Sequence, residues 1–158
     1  MRQSLRYAAL ATALLPLSAH AQGFQGPIEH HHIYPEVSAA QADLDTALKQ
    51  ARAEHKRVLV DFGGDWCGDC QVLDIYFHQP QNLPILEQKF VVVHVNVGHI
   101  NQNLEIGDKY NVALKKGVPA LAVLSPTGKS LYAQSGEFLD MRHMDPSSVH
   151  EFLEKWKQ

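Results

Sequence analysis

The run Phe90–Val97 (FVVVHVNV) constrains the fold more than any other segment. Only His94 and Asn96 interrupt its apolar, β-branched character, so it reads as a strand covered on both faces by helices. Helical patterns flank it in the chain. Ser38 is expected to cap a helix reaching about Glu54, in which Leu44, Ala47, Leu48 and Ala51 recur at helical spacing. Val58–Phe62 (VLVDF) is another β-rich run, stopped at once by Gly63-Gly64. A helix is expected from the cysteines to about His78, ahead of Pro80, and a short helical piece over Leu83–Lys89, limited by Pro84. Gln102–Tyr110 carries a weaker helical pattern. Ala120–Leu124 and Leu131–Gln134 read as strands joined across Ser125-Pro126-Thr127-Gly128. Asp145 before Pro146 marks the start of a closing helix that buries Val149, Phe152, Leu153 and Trp156. Strands alternating with helices imply parallel pairing, and the closing hairpin adds antiparallel strands. The expected class is α/β, a central mixed β-sheet flanked by helices on both faces.

The first residues are set aside from this reading. Arg2 and Arg6 precede an apolar run from Tyr7 to Leu17, and Ala19-His20-Ala21 follows. Basic start, short apolar stretch and small-x-small site are the parts of a cleavable export signal, and the stretch is short for a membrane span. The expected organisation is a signal peptide over 1–21, an irregular lead-in over 22–37 and one domain over 38–158. Removing Arg2 and Arg6 from the 14 basic residues, with all 17 acids kept, moves the formal charge from −3 to −5. That balance disfavours nucleic acid and anionic lipid. A periplasmic protein, not inserted in the membrane after signal cleavage, is the expectation.

Two cysteines are present, Cys67 and Cys70. A bond between them closes almost no loop and contributes little by restricting the unfolded chain, so a scaffolding role explains the pair poorly. They sit where a helix is expected to open. Unpaired backbone N–H groups and the helix dipole there favour negative sulfur, and thiol pKa values at such positions fall to roughly 3.5–7.5. Spacing then assigns roles: Cys67 attacks, and Cys70, one turn into the helix, resolves the mixed disulfide. Trp66 beside Cys67 is a candidate substrate platform. Asp61, an acid within an apolar strand, costs stability unless paired; a raised pKa and a proton-transfer role are expected.

These residues resemble the thioredoxin family. Val58-Leu59-Val60-Asp61-Phe62 followed by Trp66-Cys67-Gly68-x-Cys70 matches its active-site strand and turn. The resemblance covers about Val58 to the C-terminus and implies a thiol–disulfide oxidoreductase of the reductase or isomerase type. It implies that Asp61 lies beneath Cys70 and assists its deprotonation. Gly117-Val118-Pro119 resembles the family's cis-proline loop, so Val118 and Pro119 would meet the substrate backbone. Gly136 matches a glycine bordering the substrate surface. The implied partners are proteins with disulfides and a membrane redox partner that recharges the enzyme; the implied cofactor is none beyond the Cys67–Cys70 disulfide.

Departures from the pattern bear on tuning. Gly68 and Asp69 separate the cysteines where the family usually has Gly-Pro. Asp69 suits a helix first turn but raises the energy of a nearby thiolate, which favours a more reducing couple. His94 stands where thioredoxin carries a lysine paired with the buried aspartate; it would partner Asp61 and titrate near neutrality. A core histidine bonded to a backbone group is the other reading. The segments Tyr110–Pro119 and Gly136–Asp145 are longer than in thioredoxin, and no Pro-His dipeptide of the dedicated oxidases lies between the cysteines. The alternative function is periplasmic handling of Cu or Zn through Cys67, Cys70 and histidines. His30-His31-His32 invites that idea, but adjacent residues converge poorly on one ion, and a mobile lead-in is the expected home for such a run. Met141, His143 and Met144 prompt the same question.

Overall fold

The protein was analysed as a computed structural model that describes residues 23–158. The expected export signal over 1–21 lies outside the described residues. Within them, one mixed sheet holds four strands: β1 (Arg57–Gly63), β2 (Phe90–Asn96), β3 (Ala120–Leu124) and β4 (Ser130–Ala133), in the order β2-β1-β3-β4. β1 runs parallel to β2 and antiparallel to β3, and β3 pairs antiparallel with β4. Five α-helices accompany the sheet among the described residues: α1 (Ala40–Glu54), α2 (Gly68–Phe77), α3 (Leu83–Lys89), α4 (Leu104–Lys109) and α5 (Ser147–Trp156).

Strand alternation divides the core into two layers. Val58, Val60 and Phe62 of β1 pack with Val91, Val93 and Val95 of β2 beneath Leu44, Ala47 and Ala51 of α1 and Ile106 of α4. Leu59 of β1 and Leu121 and Val123 of β3 face the other way, onto Val72 and Leu73 of α2, Leu86 of α3 and Val149 and Leu153 of α5. Leu44 and Leu59 are fully buried, one in each layer. Burying a side chain of that size contributes about 1.5–3 kcal/mol, so both helical layers are held by the sheet and neither stands alone.

Local corrections concern caps and ends. Ser38 does not cap α1. It lies inside a 3-10 turn, Val37–Ala39, and Ala39 is already right-handed (φ −82°, ψ −20°), so the chain never takes the extended geometry a capping serine needs. Asp145 accepts the Ser147 N–H at 2.8 Å, and Pro146 stands just ahead of α5 rather than in its first turn. β2 ends at Asn96, and α4 is shorter than the pattern Gln102–Tyr110. β4 spans Ser130–Ala133 rather than Leu131–Gln134, although the Gln134 N–H still donates to the Leu121 carbonyl of β3 at 2.9 Å.

The lead-in is irregular but docked, where a mobile run was expected. Tyr34 is fully buried, and Asp65 Oδ1 accepts the N–H groups of Ile33 (2.9 Å) and Tyr34 (3.0 Å). Gln71 of α2 accepts the His31 N–H at 3.0 Å and donates to the His31 carbonyl at 2.9 Å. The strap therefore lies against the turn that precedes the cysteines.

Candidate active site

Cys67 is the residue that caps α2. Its backbone is extended (φ −84°, ψ 109°), and its sulfur accepts the Cys70 N–H at 3.1 Å. The chain leaves β1 at Gly63-Gly64, where a side chain on Gly64 would strike the Trp66 indole, and the Cys67 N–H donates to the Gly64 carbonyl at 3.0 Å. The two sulfurs are joined in a disulfide, with Cα atoms 5.2 Å apart. The backbone donor that now meets Cys67 Sγ would hold a thiolate after reduction, and a hydrogen bond to a charged acceptor is stronger than one to a neutral one. Cys70 is 1% exposed and Cys67 5%, so both sulfurs sit in a recess. A side chain at position 63 would run into the Tyr34 ring and come within 2.8 Å of Cys70 Sγ, which is why the strand ends in glycine there.

Beneath the motif, Asp61 is 1% exposed. Register places it directly across from His94 in the parallel β1–β2 pair. Asp61 Oδ2 accepts two hydrogen bonds, from the Tyr34 hydroxyl at 2.8 Å and from His94 Nδ1–H at 3.0 Å. Oδ1 is buried and has no partner among the described residues. His94 is thus bonded to a carboxylate, not to the backbone. Burial alone would pull its pKa down; the hydrogen bond and charge of Asp61, helped by Asp74 and Asp65, outweigh burial and hold it above the ordinary histidine value. Burial, with Asp61 second, pushes the Tyr34 pKa well above its usual value, so the hydroxyl stays protonated and acts as a fixed donor. Burial also raises the pKa of Asp74, on the α2 side of His94.

The loop before β3 closes the site from the side. The Val118 carbonyl lies 3.6 Å from Cys67 Sγ, and the Val118–Pro119 peptide bond is cis. Gln134, 1% exposed, clasps the start of β3: its Nε2 donates to the Pro119 carbonyl at 2.9 Å and its Oε1 accepts the Leu121 N–H at 2.8 Å. Gly136 adopts φ +122°, a conformation that favours glycine, and packs on Leu139, which also backs Gly117. Gly136 is therefore a neighbour of the loop rather than of the sulfurs. Trp66 is 43% exposed; its indole N–H donates to the Gly98 carbonyl at 2.7 Å and its ring stacks on His99 at 5.0 Å. It is a fixed aromatic face beside Cys67. Gly68 opens α2, with only Ile28 near where its side chain would be.

Asp69 is not the isolated carboxylate expected from sequence. Arg142 donates to both of its oxygens, at 3.2 Å and 3.1 Å, so its charge is opposed from the neighbouring loop. The histidine run gathers no ion-binding set either. His30 Nδ1–H donates to the Asp65 carbonyl and His32 Nδ1 meets the Asp65 carboxylate, both at 2.7 Å. Met141 is buried in the core and His143 pairs with Asp140. Among the described residues, no group of three or more His, Cys, Asp or Glu side chains is placed to hold a metal ion.

Sequence reasoning missed Tyr34, Asp65, Gln71, Gln134 and Arg142. Tyr34, Gln134 and Arg142 reach their partners across 27, 15 and 73 residues of chain, while Asp65 and Gln71, beside the cysteines, hold a lead-in 31 to 40 residues upstream. No local signal marked these five; the Asp61–His94 contact, by contrast, was expected, and strand register delivers it.

Comparison with known proteins places the chain in a family. The thioredoxin-like family profile matches residues 39–126, more than half of the chain, and the chain belongs to that family. Family, fold and a disulfide between Cys67 and Cys70 define a thiol–disulfide oxidoreductase. The crystal structure of a disulphide isomerase from Xylella fastidiosa Temecula1 matches with a TM-score of 0.76 at 30% identity, over 81% of this chain and 98% of that one. The thiol:disulfide interchange proteins DsbD of Pseudomonas fluorescens and Vibrio cholerae are 29% and 30% identical over 139 and 134 residues. Those alignments cover 84% and 74% of this chain but 22% and 20% of the relatives, so the chain spans about a fifth of their length. The oxidised C-terminal domain of Neisseria meningitidis DsbD shares the fold, with a TM-score of 0.53 at 22% identity over 78% of this chain and 98% of that domain. Among the described residues, no helix is long and apolar enough to cross a membrane.

Proposed function

We propose that the protein reduces or isomerises disulfides of other proteins outside the cytoplasm. The observation that carries this reading is the placement of Cys67 at the mouth of α2, bonded to the more deeply buried Cys70. In the reduced enzyme, the Cys67 thiolate attacks one sulfur of a substrate disulfide. A Cys67–substrate disulfide forms and the second substrate sulfur leaves as a thiolate. Cys70 gives its proton toward Asp61, whose Oδ1 is unpartnered, and attacks Cys67 Sγ. The substrate's remaining sulfur leaves, and the Cys67–Cys70 disulfide is restored. Two electrons have passed from the dithiol to the substrate. Isomerisation is the same first step followed by attack of a substrate thiol on the mixed disulfide.

Asp61, Cys67 and Cys70 carry the chemistry in this reading. Trp66, Val118, Pro119 and Gly136 receive the substrate chain, and Gly68, Asp69 and His94 modulate the couple. The fixed Trp66 face and the Val118 carbonyl beside the sulfur support that division. The names of the similar proteins, disulphide isomerase and thiol:disulfide interchange protein, support the substrate class. The export reading of residues 1–21 supports a periplasmic location, where a membrane-bound dithiol donor recharges the disulfide.

The test is catalysed reduction of insulin disulfides, and reactivation of a scrambled disulfide protein, with dithiothreitol as electron source. Wild type accelerates both. Cys67→Ser abolishes turnover, and Cys70→Ser accumulates a covalent enzyme–substrate disulfide visible on a non-reducing gel. Full turnover by Cys67→Ser refutes the proposal.

A further inference from the structure

The segment between Gly136 and α5 has no part in the exchange steps, yet it returns one side chain to the cysteine motif. Arg142 donates Nε–H to Asp69 Oδ1 at 3.2 Å and Nη2–H to Oδ2 at 3.1 Å. Its backbone N–H donates to the same Oδ1 at 3.1 Å. A planar guanidinium that meets both carboxylate oxygens fixes direction as well as charge, which a lysine does not.

The Arg142 side chain is half exposed, but its backbone is fixed in place. Met141 beside it is fully buried and Phe138 is in the same core cluster. The Phe24 N–H donates to the Arg142 carbonyl at 2.9 Å, and Gly23 lies so close to that carbonyl that a side chain there would collide. Lead-in and loop thus clamp the arginine over the start of α2. The neighbouring His143 is occupied by Asp140 at 2.6 Å and does not compete for Asp69.

What the contact does follows from where Asp69 stands. It is two residues after Cys67, in the first turn of the helix whose N-terminus would hold the thiolate. Its side chain is 15% exposed, so its charge is only partly screened by water. Uncompensated, it opposes ionisation of Cys67 and destabilises the reduced couple. The other ionisable groups around the motif have partners of their own: Asp65 meets His32 and the strap N–H groups, Asp61 beneath the cysteines meets Tyr34 and His94 through Oδ2, and His99 stacks on the Trp66 ring.

We propose that Arg142 is a positioning residue that sets the reduction potential of the Cys67–Cys70 couple, by neutralising Asp69 from a loop remote in sequence. This rests on the reading of Cys67 as the attacking thiol. The oxidised state carries no charge on sulfur, so the arginine acts on the reduced state alone. Losing it makes the couple more reducing.

The experiment compares wild type with Arg142→Gln, Arg142→Lys, Asp69→Asn and the double variant Asp69→Asn/Arg142→Gln. Two quantities are read: the pH dependence of Cys67 alkylation in the reduced protein, and the equilibrium with glutathione. Arg142→Gln is expected to raise the Cys67 pKa and shift the glutathione equilibrium at least about threefold toward the disulfide. Asp69→Asn, which leaves the arginine unopposed, shifts both the opposite way. The double variant returns close to wild type, and Arg142→Lys falls between wild type and the glutamine variant. Opposite signs are the decisive result, because mere loosening of the loop would move both single variants together. The inference is overturned if both move in one direction, or if neither moves. Should Arg142→Gln alone fail to fold, the double variant against Asp69→Asn decides: the inference expects the higher Cys67 pKa in the double variant, and equal values overturn it. Failure of the underlying reading looks different: wild type itself would not exchange with glutathione or insulin.

Discussion

Replacing Tyr34 by Phe removes one oxygen from a fully buried ring and leaves its apolar packing in place. That oxygen is the 2.8 Å donor to Asp61 Oδ2, and the raised pKa of the phenol keeps it a donor across the neutral range. Hydrogen bonds to charged groups contribute about 1.5–3 kcal/mol, and the asymmetry of loss is severe when the acceptor stays buried. After the substitution Oδ2 retains only His94 Nδ1–H, while Oδ1 still has no partner. The expected cost is therefore about 1.5–3 kcal/mol at neutral pH. For a chain of this size each kcal/mol lowers Tm by about 2–4 °C. Urea unfolding of the oxidised protein measures it, as a lower midpoint at an unchanged denaturant slope. A second effect is kinetic: a carboxylate held by one donor instead of two is a less fixed proton acceptor, so the Cys70 step slows and mixed disulfide builds up. A stability loss below about 0.5 kcal/mol, the range of ordinary surface substitutions, would refute the reasoning.

Other outcomes follow from the same geometry. His94 has a folded pKa above its unfolded value of about 6.5, so its ionic contribution is fully present below that value and is lost as pH rises through the folded one. The stability gap between wild type and His94→Asn, which keeps a donor but not the charge, is expected to narrow with rising pH in urea melts. A gap that is flat or widens contradicts this. Gln134→Leu strands the Leu121 N–H and the Pro119 carbonyl, both now bonded by one buried amide. It is expected to cost about 1–3 kcal/mol in the same melts and to raise KM for a protein substrate more than it lowers kcat.

How much of this was legible beforehand depended on the distance over which each feature is encoded. The apolar run at Phe90–Val97 and the VLVDF strand announced a sheet covered on both faces, and β1 and β2 do pair at its parallel edge. Periodicity placed α1 and α5 because a helix writes its buried face every three or four residues, and the cysteine motif and Pro80 bounded α2. Caps were less legible: whether Ser38 caps depends on its backbone angles, which the 3-10 turn sets. The cysteine motif was readable for a local reason too, since strand end, glycine turn and helix mouth follow within a dozen residues.

Nothing local reports a contact that spans dozens of residues. The irregular lead-in carries no periodicity, yet Asp65 and Gln71 bind its backbone and deliver Tyr34 to Asp61. Asp69 read alone is an acid beside a thiol; with Arg142 on it, the same residue is half of an ion pair. Sequence by itself determined the layers, the helix mouth and the two sulfurs, because those arise from propensities and spacings within one element. Tertiary structure alone decided which charges are neutralised and which buried groups find donors, because electrostatic energy depends on separation in space, and folding brings together groups that the chain holds far apart.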